Sequence, residues 1–441
     1  MLADMYKPYF SGVTRMISLL KNRLESLGQE VFLFTFGASH YRDKEPNIIR
    51  SPGLTFGRNG LSLGIDLTRE ARAMLMSMDI VHVHHPIFSG RLALRYCRPR
   101  GIPIVFSNHT RYDLYARLYA RPLPPWLIDR LCSDYLRRLY RSCNLVIVPS
   151  PAAMQLVERL SPTCHRQMIP NGIELNPFLE VRDPIRREEL GFGTEDVVLV
   201  YIGRLAREKN IQFLIEAFAY ASRQAKKVKL LIIGTGPLRK SLQRHLFRLG
   251  ICDRVHFAGF LPYSQLPRYL ACADAFVTAS MTEVHALTVI EAMACGLPVL
   301  GITSSGVGDA VTNGVTGLLS PHNLRLFGEM MLRLSEEDEQ RRLLGEQARQ
   351  SSKAFSIEST AAAVLDCYQR LLAEPREKPR VHRRLKKEAA CRLPPAPVSE
   401  NDSSWFERQV FAVQVNVLRG SGQAPPPAPG SKASPLPGAD G

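Results

Sequence analysis

Several things are missing from this 441-residue chain, and each absence removes a class of protein. No apolar run reaches the roughly 18 residues that a membrane-crossing helix needs. No apolar leader follows Met1, because Asp4, Lys7 and Pro8 come at once, so no signal peptide is read there. The nine cysteines (97, 132, 143, 164, 252, 272, 295, 367 and 391) are odd in number and include no Cys-x-x-Cys pair. That argues against a disulfide frame or a zinc site, and for reduced core thiols in a cytoplasmic protein. Ile233-Gly234-Thr235-Gly236-Pro237 lacks the third glycine of a dinucleotide fingerprint. Asp-x-Asp occurs nowhere in the chain.

What is present is a repeated alternation. The length suits two or three domains, and a hydrophobic fraction of 45% is ordinary for a globular protein. Up to about residue 180, the runs Val31–Phe34, Ile80–Val83, Ile104–Phe106 and Leu145–Val148 read as buried parallel strands. Helical patterns such as Val13–Leu27 and Pro125–Arg138 lie between them. The alternation restarts near residue 183 with Val197–Tyr201, Lys229–Ile233, Val255–Phe257, Ala275–Thr278 and Pro298–Gly301. Strand–helix repeats of this kind predict an α/β fold, with helices on both faces of parallel sheets and ligands at the carboxyl ends of strands. Residues 357–373 read as a last helix. Leu2–Met5 reads as only the end of a first strand, so that strand is expected to be short or cut by a late start. The tail, 374–441, opens with a basic run from Arg376 to Lys387 and ends rich in Pro, Gly and Ser, so it is expected to be mostly disordered.

The net charge of +16 is uneven. Residues 1–182 carry 24 Lys/Arg against 14 Asp/Glu, whereas residues 183–373 carry 22 against 20. A field of that kind attracts a polyanion or an anionic membrane, although it also serves plain solubility.

The chemistry concentrates at predicted strand ends. Glu283 and Glu291 stand eight apart, with Val284-His285-Ala286-Leu287-Thr288 after the first. The pattern reads strand, loop, helix, so Glu283 falls in the loop and Glu291 about one turn into the helix. A helix start suits phosphate, and carboxylates to either side accept hydrogen bonds from hydroxyls. A solvated helix face that happens to carry two glutamates is the competing reading. Tyr201-Ile202-Gly203-Arg204 ends another strand, with Lys209 five residues beyond, and two such cations reach a diphosphate. In the first half, His109 follows the strand Ile104–Phe106, and Gly12 lies in the first strand-to-helix turn. His82, His84 and His85 cluster before Pro86. Their spacing supports no metal site, which leaves a strand-end structural role, with His84 a lesser cleft candidate.

These stretches resemble the retaining glycosyltransferases with two Rossmann-like domains, of the family 4 type. The resemblance covers residues 2 to about 373. It implies a GT-B arrangement: an acceptor-side domain (1–180), a nucleotide-sugar domain (181–356) facing it across a cleft, and a final helix (357–373) crossing back. By resemblance, Arg204 and Lys209 hold the donor's diphosphate and Glu283 contacts the transferred sugar. Glu291 contacts the ribose, and His109 acts at the reacting centre. Gly12, Gly234, Phe260, Leu261, His285, Ala286, Leu287 and Thr288 complete the donor site, with Phe260 and Leu261 in the turn that holds the base. His285-Ala286 replaces the Phe-Gly of many relatives. No metal or other cofactor is expected. No carboxylate nucleophile is legible, which favours same-face attack assisted by the leaving phosphate.

Residues 111–141 interleave Arg, Tyr and Leu with Trp126, which suits the interface of an anionic membrane, although an ordinary helix beside the cleft has the same pattern. His109-Thr110-Arg111-Tyr112-Asp113-x-Tyr115 is also similar to a stretch of bacterial enzymes that glucosylate diacylglycerol, with Asp113 in place of Glu. The expected reaction is hexose transfer from UDP-glucose to such a lipid at the inner face of the cell membrane. The alternatives are a soluble or polysaccharide acceptor, or an inactive nucleic-acid-binding protein.

Overall fold

Runs of Val, Ile, Leu and Phe form parallel strands where the sequence is apolar on both faces, because helices cover both. The computed structural model describes residues 1–9, 11–37, 41–56, 61–64, 66–119 and 124–375. The basic run from Arg376, the Pro/Gly/Ser-rich ending and residues 120–123 of the Arg/Tyr/Leu segment lie outside the described residues.

The first sheet contains β1 (Leu33–Phe36) and β2 (Ile48–Ser51), paired in parallel. A second parallel set runs β5 (Val81–Val83), β6 (Ile104–Ser107), β7 (Leu145–Val148) and β8 (Arg166–Met168). An antiparallel hairpin that the sequence reading did not foresee, β3 (Leu54–Phe56) with β4 (Leu61–Leu63), lies between them in the chain. Leu2 joins the two sets, bridging Phe34 on one side and Val83 on the other. The Leu2 N–H donates to the His82 carbonyl (2.8 Å), and the His84 N–H donates to the Leu2 carbonyl (3.0 Å). The short first strand therefore amounts to a few residues of ladder in the centre of the sheet. From here the chain passes to the Gly12–Ser26 helix, which Ser11 caps at its N-terminus through the Thr14 N–H.

The second sheet has the order β11-β10-β9-β12-β13-β14, parallel throughout. Its strands are β9 (Val197–Ile202), β10 (Val228–Ile233), β11 (Val255–Gly259), β12 (Ala275–Thr278), β13 (Val299–Ile302) and β14 (Gly317–Ser320). Strand order reverses between β9 and β12, and such a switch point opens a crevice at the carboxyl ends. Arg204 and Lys209 follow β9, and Glu283 follows β12. In the first sheet the corresponding crevice lies between Leu2 and β5, beside Tyr9, Gly12 and His84.

The two halves share buried surface. One core cluster contains Ile17 and Leu20 from the first half together with Phe276 and Val289 from the second. Val284, in the loop after Glu283, is buried among first-half residues. The Ile357–Ala373 helix packs on the Gly12–Ser26 helix, and its Tyr368 hydroxyl meets His82 Nδ1 at 2.5 Å. The helix therefore returns to the first sheet after the second is complete.

Gly234 carries a direct test of this geometry. Its φ is +138°, and a Cβ there would stand 2.0 Å from the Gly203 carbonyl oxygen. Its N–H donates to the Gly259 carbonyl at 2.7 Å, so it ties the ends of β9, β10 and β11. Gly234→Ala should cost about 2–4 kcal/mol and lower the melting midpoint by several degrees. An unchanged midpoint in a thermal melt contradicts this.

Candidate functional site

Glu283 is held from several directions. Its carboxylate pairs with the Lys209 ammonium and lies 3.1 Å from the Ser280 hydroxyl. A Cβ on Gly306 would lie 2.3 Å from the Glu283 carbonyl oxygen, so backbone packs directly on the loop. The Ser304 hydroxyl donates to the Ser280 carbonyl at 3.1 Å. Burial pushes the Glu283 carboxyl up, but the charge and hydrogen bond of Lys209 outweigh it and hold the carboxyl below its usual range. Burial likewise lowers Lys209, and Glu283 more than restores it. The pair is ionised at neutral pH.

Lys209 lies just before a helix and not in it. It ends a 3-10 turn (Arg207–Lys209), Asn210 turns left-handed at φ 50°, and the α-helix begins at Ile211. The turn places Lys209 back toward β12. Arg204 Nη1 lies 3.9 Å from the buried Glu208 carboxylate. The Tyr9 hydroxyl of the first half hydrogen-bonds Arg204; burial raises the Tyr9 pKa and Arg204 opposes the rise.

Glu291 belongs to a second group. It lies in the Leu287–Ala294 helix, which no side chain caps at its N-terminus. The carboxylate is 3.7 Å from Arg15 Nε, and the Arg15 guanidinium lies over the Tyr263 ring. The buried Tyr263 hydroxyl lies beside Glu291 but has no hydrogen-bond partner among the described residues. Burial raises the Glu291 pKa; Arg15 and Tyr263 pull it back without cancelling the shift.

His109 forms the third group, with its Nε2 3.0 Å from His84 Nδ1. Burial lowers His109 to about 3, so the ring is neutral under physiological conditions. The Tyr112–Tyr119 helix that follows touches the Arg207–Lys209 turn, which brings this element to the second domain's cations. Gly12 occupies the first position of its helix with open space where a Cβ would point. Phe260 is exposed and Leu261 half-buried after β11. The His285 ring is buried, pushed down to about 4 by that burial, and packs against Phe355 at 5.3 Å. Its side chain therefore packs the loop, and Ala286 is buried with it. Among the described residues no group of three or more His, Cys, Asp and Glu side chains is placed to hold a metal.

Comparisons with known proteins give the family and the fold. Residues 10–176 match the family model Glycosyltransferase Family 4, and residues 183–351 match Glycosyl transferases group 1. The alpha-monoglucosyldiacylglycerol synthase of Streptococcus pneumoniae is 30% identical over 338 residues, covering 72% of this chain and 74% of that protein. The chain belongs to the family 4 glycosyltransferases. The synthase of the same name from Acholeplasma laidlawii is 28% identical over 390 residues, 85% of this chain and 98% of the relative. Sucrose-phosphate synthase from Thermosynechococcus elongatus has the same GT-B fold, with a TM-score of 0.70 at 22% identity, covering 84% of this chain and 96% of its own.

For this glycosyltransferase, sequence reasoning missed Tyr9, Arg15, Tyr263, Ser280 and Gly306. Arg15 sits one helical turn after Gly12, a spacing that could have marked it; Gly306 left no signal in the sequence.

Glu291 yields a pH prediction. Its raised pKa means that it takes up a proton at a higher pH than an ordinary carboxylate. The role that the family resemblance implies for Glu291, accepting hydrogen bonds from donor hydroxyls, is served best by the ionised form, so on that role kcat/KM should fall as pH drops, starting above the ordinary carboxylate range. Glu291→Gln should flatten that limb in a pH–rate profile. A wild-type limb at the ordinary value, or one that survives in Glu291→Gln, contradicts the assignment.

Proposed function

We propose that this glycosyltransferase moves glucose from UDP-glucose to diacylglycerol or a closely related lipid, retaining the anomeric configuration. The observation that carries the reading is the meeting of Lys209, Glu283 and Arg204 at the switch point of the second sheet. In this reading Arg204 and Lys209 face the diphosphate, together with the Leu287 helix start. Their charges favour the state in which the sugar–phosphate bond is breaking and negative charge gathers on the leaving group. Glu283, ionised and fixed by Ser280, accepts hydrogen bonds from sugar hydroxyls, and Glu291 does the same for ribose. His109 contacts the sugar at the reacting centre. The acceptor hydroxyl attacks from the face the diphosphate leaves, and the departing phosphate takes its proton.

Two observations support a lipid acceptor. The relatives from S. pneumoniae and A. laidlawii are both named alpha-monoglucosyldiacylglycerol synthases. The Pro125–Ser142 helix carries Trp126, 65% exposed, with Arg130, Arg138 and Arg141 also exposed. Asp129 and Asp134 on the same helix are paired with Arg117 and Arg137. Each exposed arginine near an anionic surface contributes on the order of 1 kcal/mol, and an indole suits the headgroup layer. No helix among the described residues is long and apolar enough to cross a membrane, so this reading places the enzyme peripherally, at the cytoplasmic face.

The test is transfer from radiolabelled UDP-glucose to vesicles of diacylglycerol and phosphatidylglycerol. Labelled lipid is expected, falling about 100-fold or more in Lys209→Ala and in Glu291→Ala. UDP release without labelled lipid would reject the acceptor and keep the donor chemistry. Neither signal would reject the donor as well.

A further inference from the structure

His82 and His84 are two apart on an extended segment, so both rings leave the same face, and they stack with centroids 4.2 Å apart. Each nitrogen of His82 meets a hydroxyl: Nδ1 that of Tyr368 (2.5 Å) and Nε2 that of Ser107 (2.7 Å). His84 differs. Its Nδ1 lies 3.0 Å from His109 Nε2, while its Nε2 is sealed from solvent with no hydrogen-bond partner among the described residues. The whole residue is buried, and burial holds the ring well below its usual pKa, hence neutral. The backbone fixes its position, because the His84 N–H donates to the Leu2 carbonyl in the centre of the sheet.

A neutral imidazole carries one N–H. If that proton sat on His84 Nε2, a buried N–H would be left unpaired, which is the rarer and costlier fault. On Nδ1 it makes the bond to His109. We propose that His84 donates its Nδ1–H to His109 Nε2, so that His109 presents Nδ1–H as a donor to a hydroxyl oxygen of the sugar. His84 is then a positioning residue: it selects the tautomer and ring orientation of His109 without touching substrate. The idea rests on the reading of His109 as a sugar contact. It goes further by naming which nitrogen donates and which residue sets it. His82, clamped by Tyr368 and Ser107, backs the His84 ring, so the final helix supports the same arrangement.

Long-range proton–nitrogen correlation spectra of the wild-type enzyme, labelled at histidine, report tautomers directly. His84→Asn and His109→Ala assign the two rings. The expected result is Nδ1–H for both, and Nε2–H on either overturns the proposal.

Kinetics give a second reading. Asn offers an amide N–H near the position of Nδ1, whereas Leu has similar bulk and no donor. His84→Asn should keep kcat within about threefold, and His84→Leu should lose about tenfold or more in kcat with little change in KM for UDP-glucose. A merely structural role would favour the buried leucine, so equal activity of the two variants overturns the proposal. If His109→Ala itself keeps full transfer, the reading of the sugar site fails. If His109→Ala is inactive while His84→Leu is not, only the role given to His84 fails. Should both His84 variants fail to fold, the His109 ring, assigned by His109→Ala, still decides, because Nε2–H on it overturns the proposal.

Discussion

An ammonium and a carboxylate cannot be withdrawn from water separately; each costs several kcal/mol unless it meets the other in good geometry. Lys209 and Glu283 meet at the carboxyl ends of β9 and β12, the two strands that flank the switch point. Much else follows from bringing them there. The left-handed Asn210 ends the 3-10 turn that points Lys209 back toward β12. Ser280 and Ser304 fix the loop that carries Glu283, and Gly306 lets backbone lie against it. The result is a preorganised pair of opposite charges, one suited to a phosphate and the other to hydroxyls.

The second constraint is that the halves of the site come from different sheets. Arg15 reaches from the first helix to Glu291 and Tyr263, Tyr9 reaches Arg204, and Val284 buries itself among first-half residues. The final helix closes the circuit through Tyr368 and His82. Burial of an apolar side chain such as Val284 contributes roughly 1.5–3 kcal/mol. A transferase needs both properties: a donor site that is already built, and a partner domain close enough to exclude water.

The sequence made the architecture legible because buried parallel strands announce themselves as short apolar runs. Leu145–Val148 and Ala275–Thr278 were read to the residue and the other strands named fall within a residue or two, whereas β2, β8 and β14 were not read at all. The paired glutamates and the Arg204/Lys209 spacing were legible for the same reason: strand ends fix where the next residues point. The hairpin of β3 and β4 was not, since three-residue strands carry too little pattern. Nor could the sequence show that Lys209 bonds Glu283 from 74 positions away, or that the His285 ring turns inward to Phe355. Contacts of that kind depend on loop closure, for which local periodicity holds no information. His84 was the closest miss. Its place in a histidine cluster was plain, but its contact with His109 needs the pairing of β5 and β6.

Lys209 and Glu283 act as one unit, and a double-mutant cycle on UDP binding tests this most directly. Calorimetric dissociation constants would be measured for the wild type, Lys209→Met, Glu283→Gln and the double variant. Strong non-additivity is expected, with a coupling of about 1–3 kcal/mol between the two positions. Additive losses, within about 0.5 kcal/mol, would contradict it.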